Sequence, residues 1–433
     1  MKRLLLVLVS AITVFLIFKS SAPDGTKGVK ILTFTEDIAP IIRQNCITCH
    51  HEGGGAPFPL TNYREVVKRL RFIKEVTQTR YMPPWKADPH YRSFANERGL
   101  TEKEINLIQT WSEQGTQKGE GDLSIIDPAE VKAKLTAVYD DELSMSKPHI
   151  VPGDNSDLFV FYGIFFERSE SHPIEAIEFI PGNRKVVHHA NISFYSLNKS
   201  IDLGGKGALS VLLDLDNPKH VALFNIPQQN HLYATGWVPG ASPMQFPEGI
   251  GFDLPKNGFL LLGIHYAPTA IEEEDLSSIK IRYAKKPIRN KIQAITIGSS
   301  GIGEFDKSLD IAPNEIKTLT VSLNIPRDIY LFSANPHMHL LGRKFEAKAI
   351  SPNGESIPLV RIKDWDFNWQ EFYQFKEPLK IEAGSTIHAT GTFDNTEDNP
   401  FNPNYPPIPV TIDGMKTEDE MLAFMIFFTL EKP

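Results

Sequence analysis

Cysteine is almost absent from this chain: there are two in 433 residues, Cys46 and Cys49, three apart in one short motif. That excludes a disulfide framework, although an exported protein of this size often uses disulfides. Blocks of like charge are missing too, which excludes an acidic or basic tail. The formal net charge of −8 argues against a nucleic-acid partner. No short-period repeat runs through the chain. The long apolar run needed for a spanning helix, ~20 residues, is also lacking. The nearest approach is Leu4 to Phe18, 15 residues interrupted by Ser10 and Thr13. Lys2 and Arg3 precede it, which fits a basic n-region and an apolar h-region. Ser20-Ser21-Ala22 offers a cleavage site with an unfavourable Pro23 behind it, so residues 1–22 are a signal peptide or an uncleaved membrane anchor. No cysteine follows the run, so a lipoprotein anchor is not supported. Export is the expectation, to the periplasm or the outer face of the inner membrane of a bacterium.

What is present has ordinary globular composition, 41% hydrophobic and 23% charged, with length enough for two or three domains. Residues 31–120 carry helical signals. Thr35 is a candidate N-cap in "TEDIAPIIRQNC", and "LTNYREVVKRLRFIKEVTQ" has helical spacing. Thr101 with Glu104 reads as a capping box, followed by an apolar face of Ile105, Ile108 and Trp111. Residues 121–147 read as a linker, partly helical in "DPAEVKAKL". From residue 148 short strands alternate with Pro/Gly/Asn turns, the texture of β-sandwiches or jelly rolls. The length suits two such units, 148–290 and 291–433. The fold class is therefore multidomain: a small all-α domain followed by two all-β sandwiches.

"CITCH" at Cys46–His50 is C-x-x-C-H, the c-type haem attachment pattern. Two thiols form thioethers with the haem vinyl groups, and the adjacent His50 ligates iron. A zinc ribbon would need a second ligand pair, and no further cysteine exists. Met82 in "RYMPPWKADP" is the candidate sixth ligand, and His/Met ligation suits electron transfer. His51 is adjacent to the proximal ligand and cannot reach the opposite face, while His90 remains a rival. The segment resembles small bacterial class I cytochromes c, which implies one covalently bound haem c.

The β region holds "KVVHHANISFY" with His188 and His189, "LLLGIHYAPT" with His265, "NPHMHLLGR" with His337 and His339, and "KTEDEMLAFMIFFTL" with Met421. On a strand, positions i and i+2 face one way, so His337 and His339 can converge on one metal with Met338 pointing away. His188 and His189 can do so only if the backbone is twisted or bulged. Each pair alone is weak, since paired strand histidines often just fill a polar surface. Taken in order, "HH … GIHY … HMHLLGRK … DEM" resembles the copper type II ascorbate-dependent monooxygenases over roughly residues 145–431. "ATGWVPGASPMQFPEGIGFDLP", "YLFSANPHMHLLGRK" and "GTFDNTEDNP" agree with that resemblance.

The resemblance implies two copper ions. His188, His189 and His265 would form an all-imidazole site, and His337, His339 and Met421 the site where oxygen binds and chemistry occurs. A thioether is soft and favours Cu(I), while Met425 reads as core. The implied activity is hydroxylation of a C–H bond of a small substrate with O2. Electrons would come from an exported donor, an ascorbate-like reductant or a redox protein, through the fused haem domain. The other reading is a non-catalytic periplasmic haem–copper electron-transfer or copper-binding protein. The animal enzymes are disulfide-rich, and this chain has no cysteine after Cys49, so its β domains must hold together by packing.

Among the remaining features, "DNTEDNPFNPN" lacks EF-hand spacing and reads as a turn-rich loop. His388 reads as a structural strand histidine. His149, His172, His220 and His231 sit in no metal-binding pattern. Trp365, Phe367 and Trp369 stand at period two and read as a face of a strand or loop packing on the second β unit, with substrate contact as the lesser alternative.

Overall fold

The structure is a computed structural model that describes residues 30–52, 54–125, 138–156, 158–197, 210–224, 226, 230–241, 243–308, 310–412 and 419–432. The N-terminal signal or anchor reading and the helix expected in "DPAEVKAKL" lie outside these residues. Among the described residues no helix is long and apolar enough to cross a membrane.

The first unit is helical. A π-helical turn, Phe34–Ile38, runs into Ala39–Asn45, and Tyr63–Lys68, Leu70–Gln78 and Glu102–Glu113 follow. Thr33, not Thr35, caps the first turn: its extended backbone lets the side chain accept the Glu36 N–H. The capping box at Thr101 and Glu104 forms as expected. It starts a helix whose buried residues, Ile105, Ile108 and Trp111, recur at helical spacing. They meet Phe34, Ile42 and Leu60 in one small core.

Two β units follow, each of two packed sheets. In the first, strands Leu158–Glu167, Asn257–Tyr266, Val187–Ser196 and His231–Trp237 lie side by side. Opposite them, Asp141–Ser144, Ser278–Tyr283 and His172–Ile180 form the second sheet. Asp141–Ser144 pairs in register with Ser278–Tyr283, so this unit begins inside the span that reads as linker in the sequence. In the second unit, Gln293–Gly298, Ala423–Thr429, Ile329–His337 and Tyr373–Ile381 form one sheet. Ile316–Asn324, Thr386–Asp394, Gly342–Ile350 and Ser356–Ile362 form the core of the other. Thr386–Asp394 alternates buried and half-buried residues throughout, the period-two signature of a strand with one face on the core. The units share a seam, where Tyr233 meets Phe427 at 5.4 Å between ring centroids and Phe246 meets Phe332 at 6.0 Å.

The helical unit is joined to this body by more than a tether. Residues 85–98 cross the second β unit with turns at 89–91 and 95–96, bridging at Ala87 to Ile362 and at Phe94 to Phe375. The Asp88 N–H donates to the Arg361 carbonyl at 2.7 Å, and the Ala95 N–H to the Gln374 carbonyl at 2.8 Å. Ala87 and Phe94 belong to the core of the second β unit. This strap therefore departs from the 31–120 boundary read in the sequence. Pro83 and Pro84 stop helix formation before it, and the Asp88 and Ala95 N–H groups are taken up by strand residues far along the chain.

Candidate metal centre

His189 and His265 face each other across the antiparallel pair formed by Val187–Ser196 and Asn257–Tyr266. The next register pair is Tyr266 with Val187, so His188 is the extra residue of a β-bulge. Adjacent strand residues point to opposite faces, and the bulge re-aims His188 beside His189. The Nδ1 atoms of His188 and His189 lie 3.3 Å apart, and those of His189 and His265 lie 3.4 Å apart. Ligand atoms ~2.0 Å from one metal at a tetrahedral angle lie ~3.3 Å apart. One ring nitrogen from each of the three imidazoles lies within 4.8 Å of the others, a group that could hold a metal ion. Burial, then the charges of His265, His188 and His337, hold His189 well below the usual histidine range. It is therefore neutral, as a ligand must be.

His337 is the last residue of strand Ile329–His337, and His339 lies just beyond the strand, in the turn toward Gly342–Ile350. Their rings stand at 87° with centroids 5.1 Å apart, and Met338 between them points into the core. His337 Nδ1 meets the Gln370 side-chain oxygen, whose amide is oriented by donating to the Phe367 carbonyl at 3.0 Å. His339 Nδ1 lies 3.2 Å from the Asp419 carbonyl. An imidazole that donates from Nδ1 presents its Nε2 lone pair to a metal. The two histidine groups therefore offer different ring nitrogens. Burial, then His339, pushes His337 down to about 3. Met421 is buried and lies two residues before Ala423, the strand partner of His337.

Phe367 stands between the groups. Its ring centroid is 6.4 Å from those of His189 and His265 and 5.9 Å from that of His339. Phe159 borders the first group, 5.9 Å from His189. Trp365 is buried beneath the same loop. The loop is braced by the strap, through Lys86 with Asp366 at 3.3 Å and Arg98 with Glu371.

Three residues of this centre carry no pattern that reads as a site in the sequence. Gln370 orients His337. Phe367 reads as packing, with substrate contact as the lesser alternative. Glu420 lies inside "DEM" but is overshadowed there by Met421. Its carboxylate is fully buried and accepts the backbone N–H groups of His339, of Leu341 at 2.9 Å and of Met421 at 2.9 Å. Burial pushes its acid up to about 8 against the pull of those N–H donors.

Residues 315–432 match the family described as copper type II ascorbate-dependent monooxygenase, C-terminal domain. The C-terminal unit is similar to a copper monooxygenase domain. The human DBH-like monooxygenase protein 1 is 22% identical over 77% of this chain and 56% of its own length. Tyramine beta-hydroxylase of Caenorhabditis briggsae is 20% identical over 57% of this chain and 40% of its own. Human dopamine beta-hydroxylase is 24% identical over 44% of this chain and 31% of its own. The chain thus spans about half the length of these relatives or less. His188, His189 and His265 lie outside the residues matched by the family.

In the helical unit, Cys46 and Cys49 are unpaired in a turn that continues Ala39–Asn45. The N–H groups of Cys49 and His50 both donate to the Cys46 carbonyl, at 3.2 and 2.9 Å. Burial pushes the Cys46 thiol up to about 12, and that of Cys49 upward as well. His50 Nδ1 lies 3.0 Å from the Phe58 carbonyl, so Nε2 is the nitrogen it presents. Met82 is half-buried just after Leu70–Gln78, its N–H donating to the Val76 carbonyl at 2.9 Å. His51 Nδ1 is taken up by the Ile47 carbonyl at 2.9 Å. His90 is exposed on the strap beside Asp88. A cavity of about 320 Å³ opens where the three units meet, lined by Cys49, Pro84, Arg98, Trp237, Gly240 and Glu371 among others. His388 bonds Ser322 at 2.8 Å within a sheet, as a structural histidine does.

Proposed function

We propose that this chain is a copper-dependent monooxygenase that hydroxylates a C–H bond of a small molecule, with electrons supplied through a covalently held haem. The carrying observation is the pair of histidine groups, one on each β unit, that face each other across Phe367. The donor sets fit copper: three imidazoles in one, two imidazoles and a buried methionine in the other. Copper bound there supplies one-electron chemistry with O2, one oxygen atom entering the substrate and the other leaving as water with two electrons and two protons.

The chain's own residues do the rest. The bulge at His188 and the strand pairing of His265 hold the first imidazole set rigid. Gln370 and the Asp419 carbonyl fix the ring orientation of His337 and His339. Phe367 sets an apolar ring between the two sets, and Phe159 lies against the first. The C-x-x-C-H turn fits a covalent haem: two unpaired thiols stand beside an imidazole whose Nδ1 is already bonded to a carbonyl oxygen, and His50 and Met82 would be the residues that ligate its iron. The basic and apolar N-terminal run together with this motif supports export, with the segment cleaved or kept as an anchor, and a periplasmic electron donor.

The test uses the full chain matured with haem and loaded with copper. Dopamine and tyramine are the first probes, since those names belong to the relatives' reactions, followed by a panel of small apolar molecules. Substrate-dependent uptake of O2, with labelled oxygen in the product, is expected. Met421→Ile should abolish it and leave the haem spectrum unchanged. Two bound coppers with no substrate-dependent uptake across the panel would leave a non-catalytic copper and haem protein.

A further inference from the structure

Glu420 is the most heavily committed buried carboxylate near the second histidine group. One oxygen accepts the N–H groups of His339 and Met421, and the other that of Leu341. Two of its partners, His339 and Leu341, lie in one turn 81 and 79 residues away along the chain, and the third is its own neighbour Met421. The preceding residue, Asp419, meets the His339 ring through its carbonyl. His339 lies beyond the end of strand Ile329–His337, and its carbonyl accepts the Gly342 N–H at 3.2 Å. We infer that Glu420 is a positioning residue for the second metal site, its carboxylate locking the His339 turn to the Met421 segment so that imidazole and thioether reach one ion together.

This inference rests on the assignment of His337, His339 and Met421 as copper ligands. Its chemistry follows from the donor count. Three N–H groups converge on this side chain, and a carboxylate offers two accepting oxygens and no competing hydrogen. An amide of the same shape offers one accepting oxygen and turns its NH2 toward an N–H donor. Glu420→Gln therefore keeps the volume and breaks the lock. Glu420→Asp keeps both oxygens on a shorter arm and tests the same lock if the Gln variant fails to fold. Occupancy of the His188, His189 and His265 site on the other β unit reports that the rest of the chain is intact.

The probe is copper alone. The full chain is loaded with Cu(I), titrated against a competing chelator, and examined by copper X-ray absorption. The wild type is expected to bind two Cu(I) and to show copper–sulfur scattering averaging half a sulfur per copper. Glu420→Gln should lose that sulfur signal and weaken the second copper at least tenfold, with the first unchanged. Glu420→Asp should retain part of it. An unchanged sulfur signal and affinity in Glu420→Gln, or in Glu420→Asp if only that variant folds, would overturn the positioning role. No sulfur signal in the wild type would overturn the ligand assignment itself and the positioning role with it.

Discussion

Replacing Phe94 by alanine should destabilise the second β unit, although Phe94 lies in the stretch that reads as part of the haem domain. Its side chain is 2% exposed. Its ring lies 6.1 Å from that of Trp85, 5.0 Å from Tyr373 and 5.8 Å from Phe375. Truncating a buried phenylalanine costs ~3–5 kcal/mol, and aromatic pairs add to simple burial, so about 4 kcal/mol is expected. Each ~1.4 kcal/mol is tenfold in an equilibrium constant, so local opening should become up to about a thousandfold more frequent. A single unfolding midpoint is a poor assay for a chain of three units. Peptide-resolved hydrogen exchange is better, because it assigns the loss to a place. Exchange should rise in Ser356–Ile362 and Tyr373–Ile381 and stay unchanged in helix Glu102–Glu113. Phe72, half exposed at 50% on the helical unit, is the control, and its truncation should cost within ~0.5 kcal/mol. Faster exchange in the helix with the two strands unaffected would refute the claim that the strap belongs to the β core.

Asp88 should make the same junction sensitive to acid. Burial alone would raise its carboxyl, but Lys363, Arg361 and the His90 N–H bring it down to about 2. A folded-state value below the unfolded one, ~3.9, means that the stabilisation is full above pH ~4 and fades as pH falls toward 2. Proteolysis within residues 85–98 should therefore speed up over that window in the wild type, and already at neutral pH in Asp88→Ala. No change across the window would count against the ion pair. Cys49→Ser should leave a haem held by one thioether, seen as a shifted alkaline-pyridine absorption band, and Cys46→Ser with Cys49→Ser should leave none. Haem retained covalently by the double variant would remove the attachment reading.

Much of the helical unit was legible because its signals are local. Thr101 and Glu104 are three residues apart, and the apolar face of their helix lies within the next turns. The bulge at His188 was legible for a different reason: adjacent strand histidines can share an ion only if the backbone departs from regular pleating, and it does so there. The i, i+2 reading of His337 and His339 assumed a continuing strand. The strand stops at His337, and His339 is placed by a carboxylate some eighty residues away in sequence. Nothing local announces that role for Glu420, whose partners are backbone groups rather than side chains. The strap was hidden in the same way. Residues 85–98 show no period of their own, because their order comes from Ile362, Gln374 and Phe375 on the far side of the chain. Phe367 was visible as part of an aromatic run, but its contact with both histidine groups is a product of how two β units meet.

Two copper sites on two β units are tested most directly by metal counting. Full-length protein matured with haem, loaded with copper and freed of excess should hold two coppers per haem. His337→Ala should hold one, bound through nitrogen alone. One copper or a trace in the wild type, or two retained by His337→Ala, would contradict the account.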